Sequence, residues 1–266
     1  MSNARARFLS EVARAGLPSH PGPAAVVTDA ELARLPEPAQ RYLRFMGAVG
    51  RPRDWSFRLE FAGRFRLKPG QAWMACRTWQ YNSRPAIARI FQIRIRMAGV
   101  IPVVGRDTYV DGRGRMQVRL LDVLTVVDGR GPEYDLGELV TYLNDGVLIA
   151  PSMLLVPAVT WQSVDADCFD IALTDHGRTV TARVTVDNKG AATDFSTTDR
   201  FCVDPDDPKR STRTRWTTPV TGWQTVDRRQ VPVQGRATWH LPKEDFTYAD
   251  FRLIPEAVAF NVEPGK

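Results

Sequence analysis

From Trp55 onward the chain alternates apolar and polar residues at a period of two. Phe57, Leu59, Phe61, Phe65 and Leu67 hold odd positions, while Arg58, Glu60, Arg64, Arg66 and Lys68 hold even ones. That alternation predicts a strand with one buried face. A second run sets Phe91, Ile93, Ile95 and Met97 against Gln92, Arg94 and Arg96; a third sets Met116, Val118 and Leu120 against Gln117 and Arg119. Asp111-Gly112, Asp128-Gly129 and Asn188-Lys189-Gly190 supply hairpin turns. Further strands are predicted at 169–173, 180–186, 195–202, 213–218, 224–230, 235–240 and 246–254. About ten short strands at even spacing predict one large curved antiparallel sheet, a half-barrel or open barrel.

Before Trp55 the period is helical. Residues 2–15 end at Gly16, and Thr28 followed by Glu31 gives a capping box for a helix over 29–35. Pro36 and Pro38 interrupt the chain before a helix over 39–46 with Tyr42, Leu43 and Met46 on one stripe. One further helix, 135–143, carries Leu136, Leu139, Val140 and Leu143. The expected fold class is mainly β (α+β). Residues 1–50 form a helical segment packed on the main domain, and 51–266 form the sheet domain. The N-terminal helices and the 135–143 helix are expected on the concave side.

The start of that last helix is the richest candidate site. Glu133, Asp135 and Glu138 fall within six positions, followed by the apolar segment 147–161. Carboxylates beside apolar surface suit a general acid/base acting on an apolar ligand. Asp135 at N-cap and Glu138 three residues on are equally explained as a capping box. Glu133 precedes that cap and has no such explanation. Tyr142 shares the stripe of Asp135 and Glu138.

Charge and composition narrow the function classes. The chain has 266 residues and a formal net charge of +6. Residues 1–120 hold 21 Lys+Arg against 8 Asp+Glu, and 121–266 hold 15 against 22. The arginines are spread singly along strands and alternate to the opposite face from the aromatics. That pattern lacks the interleaving of sheet-based RNA readers, so no nucleic-acid partner is expected. Three cysteines with no CxxC pair argue for a reducing, cytoplasmic setting. The N-terminus has no apolar signal region, and no stretch reaches the ~18 uninterrupted apolar residues of a span, so no stable membrane insertion is expected.

Other chemistry is sparse. No zinc spacing, phosphate loop or GxSxG elbow is present, and Ser152 has no nearby base, so no metal or cofactor is expected. The loop at 204–208 has the acids for a hard cation, but Asx-turn chemistry explains it as well. His240, between Trp239 and Leu241, is a candidate to face a cavity. Gly105-Arg106-Asp107-Thr108-Tyr109 enters a hairpin, where Arg106 and Asp107 pair with each other or with the acidic helix start. Trp161 closes the apolar segment and is a candidate pocket wall.

Residues 35–43, 105–114 and 131–139 resemble the signature blocks of a bacterial family of unknown function, with GRDxYxDGxG and GPExDxGEL patterns. The resemblance extends through Trp161 and Trp239-His240-Leu241-Pro242. It implies an architecture similar to lipoprotein-carrier half-barrels, a curved sheet wrapping a helix with an apolar concave face. Where that family carries an aromatic-rich segment after the acidic helix, this chain has Asn144-Asp145-Gly146-Val147-Leu148-Ile149.

Two functional readings follow. The first is a binding protein for a hydrophobic small molecule or lipid, with Arg106, Tyr109 and Trp161 contacting the ligand and Glu133 helping to fix it. The second is an enzyme of isomerase, cyclase or hydratase type. In it, Glu133 or Glu138 is the acid/base and Tyr142 or His240 assists. The oligomeric state is open in both.

Overall fold

The period-two segments assemble into one antiparallel sheet of fifteen strands in this computed structural model, which describes residues 2–21, 25–97, 99–203 and 210–266. Three helices precede it: α1 (Ser2–Arg14), α2 (Asp29–Leu32) and α3 (Glu37–Phe45). The Thr28 hydroxyl accepts from the Glu31 amide at 3.2 Å and starts α2, as the capping spacing predicts. Six strands then form a meander: β1 (Ser56–Phe65), β2 (Met74–Ser83), β3 (Ala88–Met97), β4 (Ile101–Val110), β5 (Arg113–Leu120) and β6 (Leu124–Arg130).

Helix α4 (Pro132–Ile149) leaves β6 at one free edge of the sheet. Through a 3₁₀ turn at Pro151–Leu154 it delivers the chain to β7 (Val159–Ser163) at the other free edge. β8 (Cys168–Asp175), β9 (Arg178–Val186) and β10 (Ala192–Thr197) run inward from there. A small hairpin, β11 (Phe201–Val203) with β12 (Ser211–Arg213), stands apart from the sheet. β13 (Trp216–Thr217), β14 (Val220–Val226), β15 (Arg229–His240), β16 (Asp245–Leu253) and β17 (Ala259–Phe260) complete it, with β16 pairing β1 and β13 joining β15 to β10. The sheet is open, since β6 and β7 do not pair.

Register fixes which side chains share a face. Leu59, Gln80, Phe91, Asp107 and Met116 align across β1 to β5, and Phe61, Thr78, Ile93, Gly105 and Val118 form the next row. These rows face inward. The opposite parity, including Glu60, Trp79, Gln92 and Arg106, faces outward. Sheet twist carries the two halves round until the β4–β5 and β8–β9 hairpins meet. There Tyr109 donates to the Asp175 carboxylate at 2.7 Å, and Arg178 donates to the Gly112 carbonyl at 3.1 Å.

Four expectations are corrected. α1 lies on the outer face, where Phe8 and Val12 pack on Trp79, Tyr81 and Ile90. Those three residues make an apolar patch on an otherwise polar parity; α3, by contrast, joins the main core through Tyr42 and Leu43. Asp128-Gly129 lies inside β6 rather than at a turn. There Gly129 packs against the Tyr134 ring, leaving no room for a Cβ. β2 escaped the alternation signal because both its faces are buried: Trp79 and Tyr81 lie under α1, and Thr78, Gln80 and Asn82 face inward.

The fourth correction concerns α4, which starts three residues before 135 and runs six beyond 143. Gly131, at φ 113°, is its N-cap. Asp135, 1% exposed, is a strut: it accepts from the Gly114 amide at 2.7 Å and from Arg178 at 2.8 Å. Gly114 is required there, because a Cβ would collide with the Tyr134 carbonyl. Asn144-Asp145-Gly146 reads locally as a turn but stays helical, since Asn144 donates to Thr218 at 2.6 Å and Asp145 accepts from Arg89 at 2.6 Å. Among the described residues no helix is long and apolar enough to cross a membrane.

Asp135→Ala should therefore lower stability by about 3 kcal/mol, the cost of stranding a buried partner, rather than the ~1 kcal/mol of a lost cap. Urea unfolding measures this, and a loss near ~1 kcal/mol would return Asp135 to a capping role.

Candidate functional site

α4 crosses the inner face at one end of the meander only. Its successive contacts are Gly114 at the start of β5, Arg89 at the start of β3 and Asn82 at the end of β2. The 3₁₀ turn continues this path, with Ser152 donating to Asp54 at 2.8 Å just before β1. The other end of the inner face, toward the β1–β2, β3–β4 and β5–β6 hairpins, carries a separate apolar cluster. Cys76, Phe91, Ile93 and Ile95 form it with Phe65, Met74, Val103 and Phe251, and every member comes from a strand. Phe61 stacks on Phe251 beside it, ring centroids 5.9 Å apart.

A polar seam separates α4 from this cluster. Glu138, 5% exposed, accepts from Arg89 at 3.0 Å and from Thr141 at 3.1 Å. Arg89 also donates to Asp145 and lies over the Phe91 ring at 4.8 Å. Burial raises the Glu138 and Asp145 carboxyls, opposed by the Arg89 charge. Asp107, in the row directly beside Phe91, is pushed up to about 7 by burial and then by the Glu138 charge. Arg200 lies over the Trp216 and Trp239 rings at 4.3 and 5.3 Å, and its Nη1 is buried with no hydrogen-bond partner. The seam therefore presents two carboxyls of raised pKa and a cation with a donor to spare, next to an apolar cluster.

Further along α4, Tyr142 and Arg84 open into a cleft of about 400 Å³ lined by Ile87, Leu154, Val156 and Leu173. Burial raises the Tyr142 hydroxyl, and the Nε of Arg84 is buried without a partner. Ile87 sits at φ 41°, a strained conformation for a β-branched residue.

The structure brings only some of the sequence candidates together. Glu138 and Tyr142 share one stripe of α4, whereas Glu133 is exposed and accepts from the Ser211 hydroxyl. Arg106 is on the outer face, paired with Glu11 of α1 in a polar cleft of about 650 Å³, away from the acidic helix start. Tyr109 is a buried strut, and Trp161 packs on Phe169 at 5.4 Å in the main core. His240 bonds Thr217 at 3.0 Å and Asp245 at 2.8 Å at the end of β15. Among the described residues no group of His, Cys, Asp or Glu is arranged to hold a metal ion, and the acidic loop at 204–208 lies outside the described residues apart from its approach at Val203.

Sequence reasoning missed Arg89, Asp145 and Arg200. Arg89 carried a signal, since it shares the apolar parity of Phe91, Ile93 and Ile95. Arg200 carried none.

With this geometry in hand, the model of a family of unknown function, DUF6544, matches residues 25–251. The chain belongs to that family. The match includes the whole seam and leaves α1 outside it. No curated protein matches the chain. Among solved structures it is similar to a LolA superfamily protein from Nitrosomonas europaea, at 12% identity and a TM-score of 0.42, over 81% of this chain and 91% of that one. It is also similar to a β-barrel-like protein of the DUF1849 family from Brucella abortus, at 11% identity and a TM-score of 0.33, over 78% of this chain and 98% of that one.

The raised Asp107 carboxyl sets a pH dependence. A folded-state value near 7 means the folded protein holds a proton that the unfolded chain releases near pH 4, so stability falls as pH rises between about 4 and 7. Asp107→Asn should remove that slope, on the order of 1–2 kcal/mol because the carboxyl is partly solvated. Melting curves at pH 5 and pH 8 test this; an unchanged slope in the variant would contradict the assignment.

Proposed function

We propose that this protein binds a hydrophobic small molecule or lipid on the concave face of its sheet. The observation that carries the reading is the all-strand apolar cluster at Ile93 and Ile95, which no helix among the described residues joins. Its core members, Cys76, Phe91, Ile93 and Ile95, are 4–9% exposed and pack on one another, so a ligand would enter by parting them, and an all-strand apolar lining of this kind suits such a ligand. The seam at its border supplies orientation: the apolar body lies along Phe91, Ile93 and Val103, and a polar end reaches Arg200 and Asp107. A carboxylate or similar anion suits the unpartnered Arg200 donor and the stacked tryptophans behind it.

Acid/base catalysis on an apolar substrate is the second reading, and Asp107 beside Glu138 is what favours it. A carboxyl near neutral pKa is poised to give and take a proton at physiological pH. In this form the pair Asp107 and Glu138 takes the role that sequence gave to Glu133 or Glu138.

A fluorescent fatty acid should bind with micromolar affinity, about −8 kcal/mol. Val118→Trp, on the same row as Ile93, should fill the groove and abolish binding. Arg200→Leu should weaken a fatty acid about ten-fold while sparing the matching fatty alcohol, the loss of one charge-assisted bond. Absence of probe binding, together with native mass spectra free of apolar ligand, would end the binding reading.

A further inference from the structure

The three hairpins that border the Ile93–Ile95 cluster end in exposed aliphatic residues. β1 to β6 are a meander, so the β1–β2, β3–β4 and β5–β6 tips lie along one edge of the sheet. At about 4.8 Å per strand they span roughly 20 Å. Leu67 on the first tip is 59% exposed, Val100 on the second 78%, and Leu121, Val123 and Leu124 on the third 58%, 78% and 61%. Large aliphatic side chains on three successive tips are not scattered singletons, and tips offer no flat face for packing.

The third tip is also built against its own turn chemistry. Leu121 and Asp122 have φ of 54° and 62°, the left-handed pair of a turn that favours Asn and Gly. The leucine there presents its side chain to solvent, 58% exposed. The charge on the three tips is mainly basic. Arg66, Lys68, Arg94, Arg96 and Arg119 flank them, Asp122 is paired with Arg7 and Asp250 with Arg64, and the exposed acids Glu244 and Asp245 stand on the neighbouring β15–β16 hairpin, outside the three tips. On the first hairpin Trp73 is overlaid by Arg64 and Arg66 at 4.8 and 4.6 Å. Such an aromatic with cationic neighbours suits a headgroup layer.

We propose that this edge docks on an anionic lipid bilayer, with the aliphatic tips in the headgroup region and the basic side chains on lipid phosphates. Two-fold contact between copies through the same edge would set cation against cation, so the patch is not self-complementary. An anionic membrane surface meets both the apolar and the basic features at once. The proposal goes beyond the ligand-binding reading. It places the groove mouth at a lipid source, yet an empty protein would dock in the same way, so the two are measured separately.

The test is co-sedimentation of the full chain with phosphatidylcholine vesicles, with and without about one-third phosphatidylglycerol. Wild type should pellet with the anionic vesicles, at least about ten-fold more weakly with neutral ones, and less at high salt. The L67S/V100S/V123S triple variant should lose about ten-fold or more of vesicle binding. Its melting temperature and its fatty-acid probe affinity in free solution should match wild type. K68E/R96E should lose the salt-sensitive part alone. The proposal is overturned if wild type stays in the supernatant, or if the triple variant pellets equally well. It is also overturned if sedimentation velocity shows a dimer that the triple variant abolishes, which would assign the patch to a second copy. Loss of vesicle binding with intact probe binding, or the reverse, tells which of the two readings fails.

Discussion

Everything in this structure depends on how three carboxylates of α4 are held by the sheet. Asp135, Glu138 and Asp145 are spaced to lie along one side of the helix, and each meets a strand-borne group: Arg178 with the Gly114 amide, Arg89, and Arg89 with Asn82. Burying such charges costs several kcal/mol per ion before pairing recovers it, so they add little net stability. Their effect is positional. An apolar stripe alone would let the helix slide or rotate over the concave face, whereas these pairs fix it across one end of the meander.

That placement divides the inner face into two environments. Beneath α4, Leu139, Leu143 and Val147 join Tyr42, Phe57 and Leu59 in the main core. Beyond it, the strand residues around Ile93 and Ile95 have only one another. The same ion pairs that anchor the helix form the polar border of that second region, which is why Asp107 and Glu138 share a raised proton affinity and Arg200 retains a free donor. Anchor and polar border are one set of residues, so in the proposed binding role stability and ligand orientation would be physically coupled.

The strands with one wet face were legible because their side chains alternate over most of β1, β3 and β5, with Arg89 and Ile90 breaking the pattern where α4 and α1 cover β3. β2 was hidden because α1 covers what would otherwise be its polar side. α4 was cut short because Asn144-Asp145-Gly146 has turn chemistry that tertiary partners override. The candidate site was half legible. Glu138 and Tyr142 stood out, but capping logic masked the pairing of Asp135, and Glu133 drew notice only by lacking a local role. Arg106 looked like a partner for the acidic helix because nothing local reveals that Glu11, some ninety-five residues earlier in sequence, covers it. Arg200 depends wholly on long-range folding, and no spacing announces it.

The central claim is that apolar ligand occupies the strand-built half of the concave face. Methyl NMR of isoleucine-labelled protein during titration with oleate reads this directly. Ligand in that region should give saturable shifts at Ile93 and Ile95, with Ile149 and Ile171 of the main core unmoved. Shifts confined to Ile87 in the cleft beside Tyr142, or no shifts at all, would contradict it.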